Sequence, residues 1–222
     1  MSDEPALIIC TFILMVLSLF WGAFFHVEQN LGSFVVWIVD FDGVNDISGS
    51  NPVIGPGLLR EAEKAIQSTS PHVGFGTMPA SYFNNDPNEV RRAIYDFKAW
   101  AAIVVNPNAT AALRQALEDG DASYDPTTAC QTIYVEARDT TSINTYIKPE
   151  LMALQMAATT SIGAAWTREV MQNFTSSTRS NVELAPQTLF QAAGFSTVNL
   201  RPFGPPTVTP VSSNFSYTLK PA

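Results

Sequence analysis

The sequence lacks several features that mark common functional classes. It has two histidines, two cysteines and no cluster of basic residues, and its net charge is -8. Binding to nucleic acid requires grouped Lys and Arg side chains, so this acidic balance argues against a nucleic-acid partner. No Cys/His pair has metal-ligand spacing, and neither a Gly-rich phosphate loop nor a Ser-His-Asp signature is present. We therefore expect no cofactor, no bound metal and no catalytic residues.

The two cysteines are too few to form a disulfide framework. Cys10 lies within an apolar segment, where it acts as a small hydrophobic residue, and Cys130 is left without an internal partner. We expect Cys130 to be a buried free thiol, with a bridge between two chains as the alternative. The domain must then be stabilised by packing, for which its 222 residues, 46% of them hydrophobic, are sufficient.

The longest apolar run lies near the N-terminus. Residues 6–25 read ALIICTFILMVLSLFWGAFF without a charge, and a helix of this length covers the roughly 30 Å hydrocarbon core of a bilayer. A signal peptide would be shorter and would follow a basic region, whereas residues 1–5 are acidic. A buried core helix is the alternative, but such a helix is rarely apolar around its whole circumference. We expect an uncleaved single-pass anchor, with the lipid bilayer as a partner.

Three Asn-x-Ser/Thr sequons follow this segment, at Asn108, Asn173 and Asn214. Such acceptors are used only on the lumenal or extracellular side of a membrane. The flanks of the apolar segment carry no Lys or Arg, so the positive-inside rule does not decide the orientation. We expect glycosylation at these asparagines and a C-terminal domain outside the cell, although Asn108 can instead cap the helix that follows it.

Strand and helix patterns alternate after the anchor. Apolar runs rich in β-branched and aromatic residues predict strands, and apolar residues at helical spacing predict helices. The order strand, helix, helix, strand, helix, strand favours an α/β domain with a parallel or mixed sheet. The predicted strands are 34–39, 100–105, 131–137 and 195–200; the predicted helices are 58–68, 87–97, 109–118 and a long one over 143–174, which Pro149 either starts or kinks.

These patterns divide the chain into three parts. Residues 1–27 form a cytoplasmic tip and the anchor, and residues 28–200 form the extracytoplasmic α/β domain. Residues 201–222 begin with a proline-rich stretch that favours an extended path. Residues 176–180 are polar and predict a break after the long helix.

A possible catalytic motif follows the first strand. Asp40-Phe41-Asp42-Gly43-Val44 resembles the first motif of haloacid-dehalogenase-type phosphatases, in which the first Asp attacks phosphorus and the second is an acid/base. The other parts of that family's site do not appear, because the next buried strand ends in Asn106-Pro107 rather than Ser or Thr. A strand-ending turn is the preferred interpretation, and a membrane-anchored phosphatase using Asp40 and Asp42 is an alternative.

A second acidic group lies in one loop. Asp119, Asp121 and Asp125 could bind Ca²⁺ loosely, but the loop lacks the Gly and terminal Glu of an EF-hand. A solvated acidic turn is the preferred interpretation.

Several phrases together resemble fungal nitrosoguanidine-resistance membrane proteins. They occur in consistent order and extend over nearly the whole chain after the anchor. They are 36–43, IGPGL at 54–58, WAAIVVNPNAT at 100–110, YDP at 124–126, YVEARD at 134–139, YIKP at 146–149 and NLRPFGPP at 199–206.

The resemblance implies a plasma-membrane protein with one N-terminal span, a large external domain and a C-terminal bundle of further spans that is similar to ABC-2-type permeases. Such proteins are associated with drug or chemical resistance. After Pro210 the family pattern would enter its second span, but residues 211–222 are polar, so we expect a chain truncated before that bundle. A single span cannot line a substrate path, so transport would require a homo-oligomer or other membrane subunits. A plain membrane-anchored interaction module is a further alternative.

Overall fold

A five-stranded mixed sheet forms the centre of the computed structural model, which describes residues 4–24, 27–44 and 51–204. The strand order is β2-β1-β3-β4-β5. β1 pairs in parallel with β2 and β3, β4 is antiparallel to β3, and β5 is parallel to β4. The strands are β1 Val35–Asp40, β2 Gly74–Pro79, β3 Ala101–Val105, β4 Cys130–Tyr134 and β5 Phe195–Asn199.

Helices connect the strands and cover the sheet. The long helix Lys148–Gln172 follows a π turn at Ile143–Ile147, and Pro149 lies in the first turn of this helix. Pro149 therefore starts this helix, where its missing N–H is tolerated. The helices are α1 Glu4–Phe24, α2 Ile54–Ile66, α3 Pro87–Tyr95, α4 Ala109–Asp119, α5 Thr140–Ser142, α6 Lys148–Gln172, α7 Ser176–Leu184 and α8 Gln187–Phe190.

The two faces of the sheet carry separate apolar layers. On one face, α2, α4 and α6 pack against alternate residues of the strands, including Val36, Ile38 and Ile103. On the other face, α3 packs against Val39 and Val104. Successive side chains of a strand point to opposite faces, so a strand buried on both faces is apolar throughout. This explains the continuous apolar runs at β1 and β3.

The ends of the strands form two edges of the sheet. We call them the carboxyl edge and the amino edge, after the ends of the parallel strands β1, β2 and β3 that lie there. The carboxyl edge contains Asp40, Pro79 and Val105, and β4 brings Cys130 there because it runs in the opposite direction. The amino edge contains the first residues of β1, β2 and β3 and the last residues of β4 and β5.

The predicted α/β class with a mixed sheet and a long helix is confirmed. Three details of the prediction are wrong. β2 was not predicted, the predicted break at 176–180 is the start of α7, and β4 ends at Tyr134 rather than at 137. Residues 136–138 instead form a 3₁₀ turn.

The predicted membrane span is not supported by the fold. α1 begins at Glu4 and ends at Phe24. Within residues 4–24, 27–44 and 51–204, no helix combines the length and the apolar character that crossing a membrane requires. The span predicted at 6–25 therefore stays a prediction.

Candidate functional site

The carboxyl edge contains the point where the chain connections change direction. β1 leads through α2 to β2 on one side, and β2 leads through α3 to β3 on the other side of β1. α2 and α3 cover opposite faces of the sheet. Ligands of open α/β sheets bind beyond the strand ends at such a switch point. The predicted motif at Asp40 and Asp42 lies at this position.

Asp40 ends β1 beneath the N-terminus of α2. Its Oδ1 accepts a hydrogen bond from the backbone N–H of Asp42 at 2.8 Å. Gly55 in the first turn of α2 lies so close that a β-carbon there would be 2.1 Å from Oδ2 of Asp40. Burial raises the pKa of Asp40 from 3.8 to about 6, against the lowering effect of that hydrogen bond. The carboxyl group therefore titrates near pH 6, above the usual range of an aspartate.

Asp42 is bound to the first turn of α4. Its Oδ1 accepts from the N–H of Thr110 at 3.0 Å, and its Oδ2 accepts from the Thr110 hydroxyl. That hydroxyl oxygen in turn accepts from the N–H groups of Val53 and Ile54 at 3.0 and 3.1 Å. Asp42 is 7% and Thr110 2% exposed, so the network is buried. It ties the β1 turn, α2 and α4 together and satisfies backbone donors at the start of two helices.

Cys130 completes the cluster from the antiparallel strand. It is a free, fully buried thiol, as predicted. Burial raises its pKa far above the ordinary value, and the neighbouring carboxyl groups of Asp40 and Asp42 raise it further. A thiol held in this way is a poor nucleophile, so Cys130 serves packing rather than redox chemistry.

The cluster offers limited chemistry. Both oxygens of Asp42 are used by Thr110, which supports a structural role for Asp42 rather than the acid/base role of a phosphatase. The start of α4 donates to the carboxylate of Asp42, and the N–H groups of Val53 and Ile54 at the start of α2 donate to the Thr110 hydroxyl, so donors that would favour an anion are already used. In the described part of the chain, no group of three or more His, Cys, Asp or Glu side chains has the arrangement of a metal site.

The acidic loop forms turns. Asp121 accepts from the hydroxyl of Ser123 at 2.7 Å and from its N–H at 2.8 Å, and Asp125 accepts from the N–H of Thr127 at 2.9 Å. These hydrogen bonds lower the pKa of both carboxyl groups. Each carboxylate thus stabilises its own turn, in line with the solvated acidic turn that the sequence favours.

Sequence patterns found only part of the cluster at the carboxyl edge. The sequence indicates Asp40 and Asp42, but it does not indicate that Gly55, Thr110 and Cys130 belong to the same cluster. Thr110 belongs to a sequon, and nothing in the neighbouring sequence shows that its hydroxyl binds a carboxylate 68 residues away. The available signal was the position of Thr110, a polar residue in the first turn of the helix that follows the buried strand β3.

α1 presents an exposed apolar surface. All side chains at positions 7–19 are exposed, together with Trp21 and Gly22. Exposed fractions are 66% for Phe12, 66% for Leu14 and 72% for Leu19. Contiguous apolar surface of this size marks a contact with a membrane or another protein.

The sequons occupy different surroundings. Asn173 is exposed at the end of α6, and it lines a cavity of about 310 Å³ with Arg114, Glu169 and Asn181. Asn108 is half-buried at the N-cap position of α4, with a left-handed φ of 57° and no side-chain capping bond. Asn214 lies outside the described residues.

Comparison with known proteins gives one informative result. The sequence model of a family described as "Protein of unknown function (DUF3533)" matches residues 5–218. No solved structure matches the chain.

Proposed function

The chain belongs to the DUF3533 family of proteins of unknown function, and we propose that it is a non-catalytic extracytoplasmic domain held at a lipid bilayer by α1. The exposure of the apolar side chains at 7–19 carries this proposal. Burying one large aliphatic side chain contributes about 1.5–3 kcal/mol, so moving α1 from water into lipid is strongly favoured.

The polar groups of α1 support the same proposal. The hydroxyl of Thr11 donates to the carbonyl of Leu7 at 2.8 Å, and that of Ser18 donates to the carbonyl of Met15 at 2.8 Å. Polar groups in hydrocarbon have no water and need partners within the helix. These two hydroxyls already have them.

Flotation of the full chain with phosphatidylcholine vesicles tests this role of α1. We expect the chain to float with the vesicles, and Leu14→Lys to lower the bound fraction about ten-fold or more, since a Lys near the centre of an apolar helix is costly in lipid. Leu184→Lys is the matched control, because Leu184 in α7 is 65% exposed and Leu14 is 66% exposed. Equal loss of flotation in both variants would contradict a specific role of α1.

Labelling of Cys10 distinguishes insertion from loose adsorption. Cys10 is exposed on α1 and Cys130 is buried, so a membrane-impermeant maleimide reports on α1. We expect rapid labelling in detergent-free buffer without lipid and protection after vesicle binding. Undiminished labelling of vesicle-bound chain would show that α1 stays outside the hydrocarbon.

The wider role that we propose comes from the resemblance to fungal nitrosoguanidine-resistance proteins. In this proposal the domain lies outside the plasma membrane and acts in a transporter-like assembly, with copies of itself or other membrane subunits. Cells that lose the protein are expected to become more sensitive to nitrosoguanidine, and the Leu14→Lys chain should not restore resistance. Unchanged sensitivity would contradict this role.

A membrane-anchored phosphatase is the second candidate. The observation that favours it is the position of Asp40 at the switch point, with a pKa of about 6. If it is correct, the purified chain hydrolyses a phosphoester such as p-nitrophenyl phosphate with Mg²⁺, and Asp40→Asn abolishes turnover. Absence of turnover in the wild-type chain would exclude this candidate for that substrate and leave the non-catalytic role.

A further inference from the structure

The chain enters and leaves the sheet at the amino edge. α1 is joined to the start of β1 through the seven-residue 3₁₀ turn Val27–Ser33. β5 ends at Asn199, and the next residues stay at this edge, where the N–H of Ala137 donates to the carbonyl of Arg201 at 3.1 Å. If α1 enters lipid as proposed, the amino edge is the part of the domain next to the bilayer.

Aromatic side chains gather at the amino edge. The Phe34 ring lies edge-on to Trp100 at 5.0 Å and is stacked on Tyr146 at 6.1 Å. Beside them, Tyr95 and Phe97 are 43% and 42% exposed. Trp and Tyr side chains are enriched at the level of lipid headgroups, because their rings are apolar at one end and polar at the other.

The backbone of Phe97 is unusual for an aromatic residue. Its φ is 61°, in the left-handed region that Gly and Asn adopt readily and bulky residues rarely do. The turn between α3 and β3 thus holds a partly exposed phenyl ring in a strained conformation. This left-handed residue ends α3, since the N–H of Lys98 donates to the carbonyl of Ala93 at 3.0 Å across it, and it leaves the ring partly exposed at the amino edge.

Two guanidinium groups flank this ring. The Cζ of Arg138 lies 3.8 Å from the centre of the Trp100 ring and 5.3 Å from that of Phe97. The Cζ of Arg201 lies 3.8 Å from the Tyr95 ring and 5.9 Å from the Phe97 ring. Among the described residues, neither arginine forms an ion pair with a carboxylate. Stacking on the rings orients both groups without neutralising their charge.

The carboxyl groups at this edge have other partners or positions. Glu136 accepts from Lys148 at 3.5 Å and from Asn199 at 2.8 Å. Asp139 accepts from the backbone N–H of Thr141 at 2.9 Å, and so caps α5. The exposed Asp96 at the end of α3 is two residues from the exposed Lys98. Positive charge therefore remains at Arg138 and Arg201.

We propose that the amino edge, centred on Phe97, Arg138 and Arg201, rests on the headgroup layer of the bilayer that holds α1. The two guanidinium groups bind lipid phosphates, and the rings lie among the headgroups. This inference rests on the proposed membrane role of α1 and adds the contact surface and its ligand. It orients the sheet with its carboxyl edge away from the membrane.

Vesicle binding of the full chain tests the proposal. The comparison is between phosphatidylcholine vesicles and vesicles with added anionic phosphatidylglycerol. We expect the anionic lipid to increase the affinity of the wild-type chain for vesicles. In the double variant Arg138→Gln/Arg201→Gln, this increase in affinity should be smaller by about five-fold for each arginine. Arg60→Gln with Arg168→Gln is the matched control, because these exposed arginines lie on α2 and α6; it should keep the gain.

The outcomes separate the two proposals. If the wild-type chain does not float even with phosphatidylcholine, the membrane role of α1 fails. If it floats with Cys10 protected, but the paired variants at positions 138/201 and 60/168 behave alike, the amino-edge contact alone is refuted.

Phe97→Asn provides a test that keeps both arginines. Arg138 also donates to the carbonyl of Ala99 at 2.9 Å, so its replacement can loosen the fold. Asn accepts the left-handed backbone at position 97, and we expect thermal unfolding of Phe97→Asn to stay within a few degrees of wild type. Binding to anionic vesicles should nevertheless fall several-fold. Unchanged binding by a folded Phe97→Asn chain would overturn the role of the ring.

Discussion

At the scale of single residues, the carboxyl edge shows how two acids in one turn acquire different roles. Asp42 has both oxygens bound by Thr110 and fixes the starts of α2 and α4. Asp40 is half-buried and accepts one backbone hydrogen bond from Asp42. Burial without matching donors penalises the charged form, which is why the pKa of Asp40 is raised.

The raised pKa predicts that ionisation of Asp40 destabilises the fold increasingly as the pH rises from about 4 to about 6. The folded-state pKa is about 6 and the ordinary value is 3.8, so the penalty is absent below about pH 4 and complete above about pH 7. Asp40→Asn cannot ionise and still accepts the Asp42 hydrogen bond. We expect it to raise the free energy of unfolding by on the order of 2–3 kcal/mol at pH 7.5, with little difference at pH 4. Urea unfolding in mild detergent at both pH values measures this.

A second acid gives the opposite sign and serves as the control. The hydrogen bond from Thr127 lowers the pKa of Asp125, so the charged form is favoured in the folded state. Asp125→Asn should lose stability above about pH 4 and match wild type below that range. If Asp40→Asn is less stable than wild type at pH 7.5, the assigned burial effect is wrong.

The motif at 40–44 could be found from the sequence, but its surroundings could not. An acid after a buried apolar run is a local pattern, and local patterns are readable. The contacts of Asp42 with Thr110 and of Asp40 with Gly55 depend on which strands are neighbours. That information lies in long-range packing, which one sequence does not display.

At the scale of elements, the crossing of α2 and α6 holds one face of the sheet. Gly57 of α2 lies against Ile162 of α6, and a β-carbon at Gly57 would be 2.5 Å from its Cγ1. A glycine inside a helix normally costs about 1 kcal/mol relative to alanine. Here its missing side chain lets the two helices approach.

Gly57→Ala should therefore destabilise the domain despite the better helix propensity. We expect the free energy of unfolding to fall by about 1–3 kcal/mol, because the added methyl group overpacks against Ile162. Gly163→Ala is the matched control, since Gly163 is in α6 and a β-carbon there meets nothing within 4 Å. This control should gain about 0.5–1 kcal/mol. Urea unfolding of both variants measures the two effects. A stabilised Gly57→Ala chain would contradict the prediction, because it would show that α6 can shift away from position 57 without destabilising the domain.

The elements that were predicted correctly are those with strong internal patterns. β1 and β3 are apolar runs, and α3 has an N-cap aspartate, Asp86, followed by proline. β2 reads GFGTMP, whose glycines and proline are typical of loops, and it is a strand because β1 offers it a parallel partner. α7 was missed because its sequence is polar and no residue in it is buried.

At the scale of the whole molecule, the two edges of the sheet carry different groups of side chains. At the carboxyl edge, hydrogen bonds of Asp42 and Thr110 join the turn after β1 to the first turns of α2 and α4, and they stabilise the fold. The amino edge receives the chain from α1 and carries the exposed rings and unneutralised arginines. In the proposed orientation α6, which runs from Lys148 to Gln172, places its last residues away from the amino edge. Asn173 is then directed away from the bilayer.

External placement predicts glycosylation that differs between the two described sequons. Asn173 is exposed, whereas Asn108 is half-buried and its Thr110 hydroxyl is held by Asp42. In a chain expressed through a fungal secretory pathway, with Asn214 replaced by Gln, we expect Asn173→Gln to remove most of an endoglycosidase-sensitive mobility shift. Asn108→Gln should leave the shift unchanged, because the half-buried Asn108 and the bound Thr110 hydroxyl make that sequon a poor acceptor. A mobility shift that depends on Asn108 alone would contradict the expected order of the two sequons. A chain whose mobility does not change on endoglycosidase treatment would argue that the domain faces the cytoplasm.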